Sequence, residues 1–337
     1  MCDAPMRLAC LRGRKRLWLL PLATVGLGCN TGTELLSEAQ IDFDFPGASL
    51  AYAQPLGGNT FQIALKDDTN ATTKLWFSFR VREARGRALT FYLVDAGTVD
   101  SHWAYRQPVV STDEGQSWTR ITDTAFDSTT FVFTYTATSN DDWVALSPAY
   151  SFSRHLSLMQ ELGTHPEVAA ITEVGHTLGG EPLHHVEIRS QPAGTLPAIW
   201  AVARQHPGEP GGSYMMEGFL RWAVSADPEA VTLRDRTEIH AIPFLNPDGV
   251  LVGNQRVNLG GLDLNRQWAN PTLSESPAIY WTQEAITYYR DSGGETRILL
   301  DFHSAPTGRR NFFFYNQEAS SGTYLYSEIR ALLADIQ

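Results

Sequence analysis

At Pro148 the texture of the chain changes, and that change constrains its architecture more than any other feature of the sequence. Upstream, over residues 41–150, short stretches rich in β-branched and aromatic residues are separated by turn residues. They include KLWFSFRV (74–81), ALTFYLVD (88–95), SWTRIT (117–122), TTFVFTYTA (129–137) and WVALS (143–147). Strands at such spacing predict an all-β antiparallel sandwich over residues 40–150. Downstream, residues 151–337, strand-like runs alternate with helix-like ones. PAIWAVARQ (197–205), TEIHAIPFL (237–245) and TRILLDFH (296–303) are apolar enough for buried strands. Residues 153–162, 213–224 and 275–291 carry helical spacing, with Ser153 as the expected N-cap of the first. HTLGGEPLHHVEI (176–188) predicts a hairpin around Gly179-Gly180. The second half is therefore an α/β domain with a mixed, mostly parallel sheet.

Residues 1–29 stand apart. Arg7, Arg12, Arg14, Lys15 and Arg16 precede an apolar run over residues 17–27, the layout of a secretory leader. Gly28-Cys29 resembles the end of a bacterial lipobox, so the expectation is an exported bacterial protein, periplasmic or held on a membrane by a lipid on Cys29. Cys2, Cys10 and Cys29 are the three cysteines of the chain, so the rest of it forms no disulfide and offers no thiolate to a metal. The formal net charge is −11, and Lys/Arg clustering is confined to the leader, which excludes a nucleic-acid footprint.

In open α/β sheets ligands bind beyond the carboxyl ends of the strands. Three predicted strands run there into Gln205-His206, Asn246-Pro247-Asp248 and His303-Ser304. In RQHPGEPGG (204–212), Pro207 and Gly208 permit a tight turn that brings His206 and Glu209 to one point. An H-x-x-E alone is a weak signal. A second copy, His184 and Glu187, falls in a predicted strand, where residues three apart face opposite ways. His303 strengthens the first copy. Two histidines and a carboxylate leave the fourth tetrahedral position open for water, as in a catalytic zinc site, with non-haem iron as the alternative metal.

HPGE (206–209), FLNPDGVLVGNQR (244–256), GLDLNRQW (261–268) and LLDFHS (299–304), in that order, resemble the zinc metallocarboxypeptidases of the carboxypeptidase A superfamily. The likeness is greatest to the cytosolic-carboxypeptidase branch, whose β-sandwich precedes the catalytic domain. It implies His206, Glu209 and His303 as ligands of one Zn2+, with Asp263 orienting the first histidine. It also implies Arg256 as the group that stabilises the oxyanion, and Asn265 and Arg266 as the grip on a peptide's terminal carboxylate. The implied reaction is hydrolysis of the last peptide or isopeptide bond, with peptide or protein C-termini as partners.

The family's catalytic glutamate is expected beyond Gln337, where the sequence stops; Glu318 and Glu328 match no motif position. A chain without that base is expected to bind zinc or peptide ends without turnover. Arg309 and Arg310 are candidates for a pocket that takes acidic side chains. An aspartoacylase-type deacylase shares the H-x-x-E and the DLNR-like run. Residues 111–118 fit the S-x-D-x-G-x-S/T-W box of propeller proteins; a single copy predicts a β-turn with Gly115 at its tip and Trp118 packed below.

Overall fold

The computed structural model describes residues 38–100 and 102–304. Its first half is a sandwich of two five-stranded sheets. One holds β1 (Gln40–Asp42), β4 (Ser78–Arg82), β10 (Asp141–Ala145), β6 (Val109–Ser111) and β7 (Thr119–Arg120), in that order and antiparallel throughout. The other holds β2 (Tyr52–Gly57), β3 (Thr60–Ala64), β5 (Ala88–Leu93), β9 (Phe131–Thr136) and β8 (Asp123–Phe126). Alternate residues of these strands turn inward, and Phe77, Phe79, Phe91, Phe131 and Phe133 fill the space between the sheets. One pairing departs from the antiparallel expectation. β3 and β5 run parallel, because the chain crosses to the opposite sheet as β4 before returning.

The propeller-type box closes the turn between β6 and β7, as the motif predicts. The Asp113 carboxylate accepts from the Ser111 and Ser117 hydroxyls and from the Ser117 amide. Gly115, at φ 85°, lies over the Trp118 ring, whose Nε1 donates to its carbonyl at 3.0 Å.

The second half is three layers. Its sheet, in the order β11 (Val168–His176), β12 (Pro182–Ile188), β14 (Glu238–Ile242), β13 (Ala198–Ala203), β15 (Thr296–Phe302), is mixed. The β11–β12 hairpin and the β12–β14 pair are antiparallel, whereas β13 lies parallel between β14 and β15. Helices α2 (Phe152–Leu162) and α3 (Pro210–Ala223) cover one face, where Leu158, Leu162, Met216 and Leu220 meet Ala201, Ala203, Ile239 and Ala241. The other face carries α6 (Pro277–Asp291), with Ile279 and Tyr289 against Trp200, Val202 and Ile242; the short helices α1 (Ala96–Val99) and α5 (Pro247–Leu251) follow β5 and β14. Period-two alternation along β13 thus feeds two cores from one strand.

Three local expectations need correction. Strand β15, expected to be buried, lies at the edge of the sheet among the described residues and has no buried residue, with Leu299 47% exposed. Helix α2 is capped by Ser151, whose side chain accepts from the Arg154 amide; Ser153 lies inside the first turn. Burial of Phe152 starts the helix early. Helix α4 (Pro228–Arg236) was not expected, because its sequence PEAVTLRDR has no apolar stripe; it is set by the Asp227 cap and Pro228 at the first position.

Between α2 and the hairpin, His155 is buried beside Phe152 and Phe244, with Nε2 3.2 Å from His184 Nδ1. Burial, with a smaller contribution from His184, holds its imidazole at about 3, and burial does the same to His185. Unfolding returns each imidazole to about 6.5, so below that pH the unfolded chain binds protons that the folded chain excludes. Stability should therefore fall as pH drops from 6.5 towards 3. His155→Gln should shrink the difference in unfolding free energy between pH 7 and pH 5 by about 2 kcal/mol, one proton acting over the interval below 6.5. Urea titrations at the two pH values measure it, and an unchanged difference would contradict the assignment.

Candidate metal centre

Strand β13 delivers the first cluster residues. Its apolar run ends at Arg204, whose left-handed backbone (φ 61°) turns the chain sharply. The buried Arg204 guanidinium secures that turn by donating to the Pro207 carbonyl at 2.9 Å and to the Ser213 hydroxyl at 3.1 Å. His206 follows, and Glu209 occupies the position just before α3, where it caps no amide; its carboxylate turns to the imidazoles instead. Gly208 is required because a Cβ there would collide with Gln255, whose carbonyl accepts from the Gly208 amide at 2.8 Å.

Strand β15 delivers the other side. It pairs in parallel with β13, so His303 emerges at the same end of the sheet as His206. Helix α3 starts against this end, and a Cβ on Gly212 would stand 2.4 Å from the Phe302 carbonyl oxygen. Small residues at the helix start let its first turn, and with it Glu209, reach the two histidines.

The three side chains converge. Nδ1 of His206 lies 2.9 Å from Glu209 Oε1, and Nδ1 of His303 lies 2.9 Å from Oε2. One ligand atom from each residue falls within 4.8 Å of the other two. The remaining ring nitrogens are held outside the cluster: His206 Nε2 by Asp263 Oδ1 and His303 Nε2 by Asp301 Oδ2, both at 2.9 Å. A carboxylate on Nε2 keeps a proton on that nitrogen, so that a ring giving up its other proton to a cation presents its Nδ1 lone pair to the cluster. Two imidazole nitrogens and a carboxylate oxygen at one point suit a borderline divalent cation such as zinc. The charges are strongly coupled. Burial disfavours the ionised form of Glu209, but both imidazoles outweigh it and hold the carboxyl at about 2. Burial likewise opposes charge on His303, yet Asp301 and Glu209 raise it to about 10.

Asp263 holds three residues, among them Asn265, whose amide donates to Oδ1 at 2.9 Å. Besides His206, it accepts from Arg256 Nε at 2.8 Å, and despite its desolvation these partners keep it at about 2. Asn265 stands beside the cluster, with Nδ2 3.3 Å from His303 Nε2. Arg266 does not join it: its guanidinium is exposed and donates to the Asn265 carbonyl at 2.8 Å. Asn246 and Asp248, also at strand ends, serve the scaffold. Asn246 Nδ2 donates to the Gln205 carbonyl, and Asp248 accepts from the Thr177 hydroxyl and the Gly179 amide of the hairpin. His184 lies elsewhere, against His155. Cys29, Arg309, Arg310, Glu318 and Glu328 fall outside the described residues.

Three contributors escaped the sequence reading. Asp301 had a signal, since it sits two residues before His303 on the same strand face. Gln205, which donates to Asp301 at 2.6 Å and accepts from Trp268 Nε1, was marked only by its place at the end of a strand, and Asp68 of the sandwich, described below, had no signal.

Comparison with known proteins places both halves of the chain in one family. The zinc carboxypeptidase family model matches residues 155–331, and the model of the cytosolic carboxypeptidase N-terminal domain matches residues 41–147. Cytosolic carboxypeptidase 1 of Danio rerio is 35% identical over 202 residues, which are 55% of this chain and 17% of that protein. An uncharacterised protein of Zymomonas mobilis is 32% identical over 280 residues, 79% of this chain and 71% of the relative. The chain therefore spans a small part of the vertebrate enzyme's length and most of the bacterial relative's. Among solved structures, a metallo-carboxypeptidase from Burkholderia cenocepacia superposes with a TM-score of 0.74 at 26% identity, covering 79% of this chain and 71% of that one. A metallo-carboxypeptidase from Pseudomonas aeruginosa, in complex with (2-guanidinoethylmercapto)succinic acid, gives 0.71 at 27%, covering 79% and 70%. With models matched in both halves and the predicted motifs gathered at one end of its sheet, the chain belongs to the zinc carboxypeptidase family and carries a cytosolic-carboxypeptidase N-terminal domain before its catalytic domain.

Proposed function

We propose that this chain is a zinc-dependent carboxypeptidase acting on the C-termini of peptides or proteins, with His206, Glu209 and His303 holding one Zn2+. The observation that carries this reading is the convergence of two Nδ1 atoms on the Glu209 carboxylate while Asp263 and Asp301 hold both Nε2 atoms. Bound there, zinc supplies a water acidified to a pKa of about 7 and polarisation of the scissile carbonyl.

The chain's own residues supply the rest. Asp263 and Asp301 keep the imidazoles in the tautomer that presents Nδ1. Arg256, fixed through Nε by Asp263, stands next to the cluster and donates to the carbonyl oxygen as negative charge develops on it. Asn265 and Arg266 hold the terminal carboxylate of the substrate. A guanidinium suits this because it engages both oxygens at once, and the exposed Arg266, bonded among the described residues to a neighbouring carbonyl, exchanges that bond for the carboxylate.

Two experiments test the reading. Glu209→Gln should abolish stoichiometric zinc binding, and Asp301→Asn should weaken it by about 10- to 100-fold, as expected when the partner of a ligating histidine is lost. Calorimetric titration of the metal-stripped chain measures both. Full zinc affinity in Glu209→Gln would remove the proposed ligand set, and zinc binding without peptide hydrolysis would favour a binding-only protein. Arg266→Met should lower kcat/KM by about 10- to 100-fold for peptides with a free C-terminus, the worth of a charged hydrogen bond, and leave amidated peptides unchanged. Equal loss on both substrates would place the carboxylate grip elsewhere.

A further inference from the structure

We propose that Asp68, in the sandwich, is a positioning residue for Arg256, so that the N-terminal domain sets the catalytic geometry of the C-terminal one. This inference rests on the reading of Arg256 given above. Asp68 is buried in the loop between β3 and β4. Its carboxylate accepts three consecutive amides of the catalytic domain, those of Gln255, Arg256 (2.7 Å) and Val257 (3.2 Å). The Thr73 hydroxyl, 2.8 Å from Oδ2, fixes the carboxylate from its own side. Neighbouring residues extend the grip. Thr69 donates through its amide and hydroxyl to Asn254 Oδ1, Asn70 Nδ2 donates to the Leu259 carbonyl, and Lys66 Nζ donates to that of Val252.

Three adjacent amides aimed at one carboxylate oblige the backbone to curl around it, and charge-assisted bonds are roughly twice as strong as neutral ones. The backbone of Arg256 is thus fixed by Asp68, and its guanidinium by Asp263. The arginine is held at both ends before substrate arrives, which is what preorganised stabilisation of a developing oxyanion requires. A hydrophobic side chain would fill the space and leave the three amides without an acceptor, at a cost in each.

The experiment is a double-mutant cycle on the zinc-loaded full chain with Asp68→Asn and Arg256→Ala. It reads zinc content, melting temperature, kcat, KM and the affinity for a phosphinic pseudopeptide, which mimics the tetrahedral carbon and needs no turnover to be measured. Asp68→Asn should retain zinc. It should lower kcat and phosphinate affinity by about 10- to 100-fold, the effect of misplacing a catalytic group by about 1 Å, with KM nearly unchanged. In the Arg256→Ala background the same substitution should change kcat and phosphinate affinity by less than about twofold, while lowering the melting temperature as much as before.

Equal losses in both backgrounds, or loss of zinc, would overturn the proposal by showing that Asp68 acts through general stability or the metal turn. Unchanged phosphinate affinity in Arg256→Ala would overturn the role of Arg256 itself and the positioning role with it. If Asp68→Asn does not fold, Thr73→Val replaces it; this loosens the carboxylate without removing it and should show a smaller loss with the same dependence on Arg256.

Discussion

A buried carboxylate that must touch two imidazoles at once is the constraint from which the catalytic half is organised. Glu209 is 6% exposed, and a charge so desolvated is tolerable only beside compensating groups. Those groups come from residues almost a hundred positions apart, and both must arrive at the same end of the sheet. Parallel pairing of β13 with β15 accomplishes this. Gly208 and Gly212 remove the side chains that would hold the metal turn away from Gln255 and the first turn of α3 away from β15. The outer carboxylates, Asp263 and Asp301, then orient the rings. Little of this arrangement is adjustable: shifting the β13–β15 register by one residue would carry His303 to the opposite face of the sheet.

From that centre an unbroken series of polar contacts runs into the other domain. His303 meets Glu209, Glu209 meets His206, and His206 meets Asp263; Asp263 meets Arg256, whose backbone ends on Asp68. The Gln255 peptide takes part twice, donating its amide to Asp68 and accepting the Gly208 amide of the metal turn. The sandwich is therefore joined to the chemistry by hydrogen bonds to named atoms, a different matter from two domains that lie side by side.

How much of this the sequence discloses depends on the range of each interaction. The strand carrying His206 was legible because a short continuous apolar run between polar residues is what a buried parallel strand carries, whereas the same pattern before His303 gave the strand but not its exposure. The box at residues 111–118 was legible because its bonds close within eight residues. Helix α4 was hidden by its charge, and the parallel β3–β5 pair by a crossover that leaves no local trace. Asp68 was beyond reach for a different reason. Its partners are backbone amides some 187 positions away, and an amide carries no residue identity for a pattern to match. The resemblance supplied Asp263, Arg256 and Asn265, and the geometry gathers all three, while Arg266 remains turned to its neighbour's carbonyl.

That Asp68 engages main chain also bears on how such a protein diverges. A contact between two side chains survives mutation only if both partners change together. Here the acceptor side is one aspartate and the donor side is peptide backbone, so residues 255 and 257 are released from the bond and can drift or acquire new specificity without loosening it. For this bond the demand on side-chain identity thereby falls on one position of the sandwich. A catalytic half transplanted onto another partner would leave three amides without their acceptor unless that partner brought one of its own.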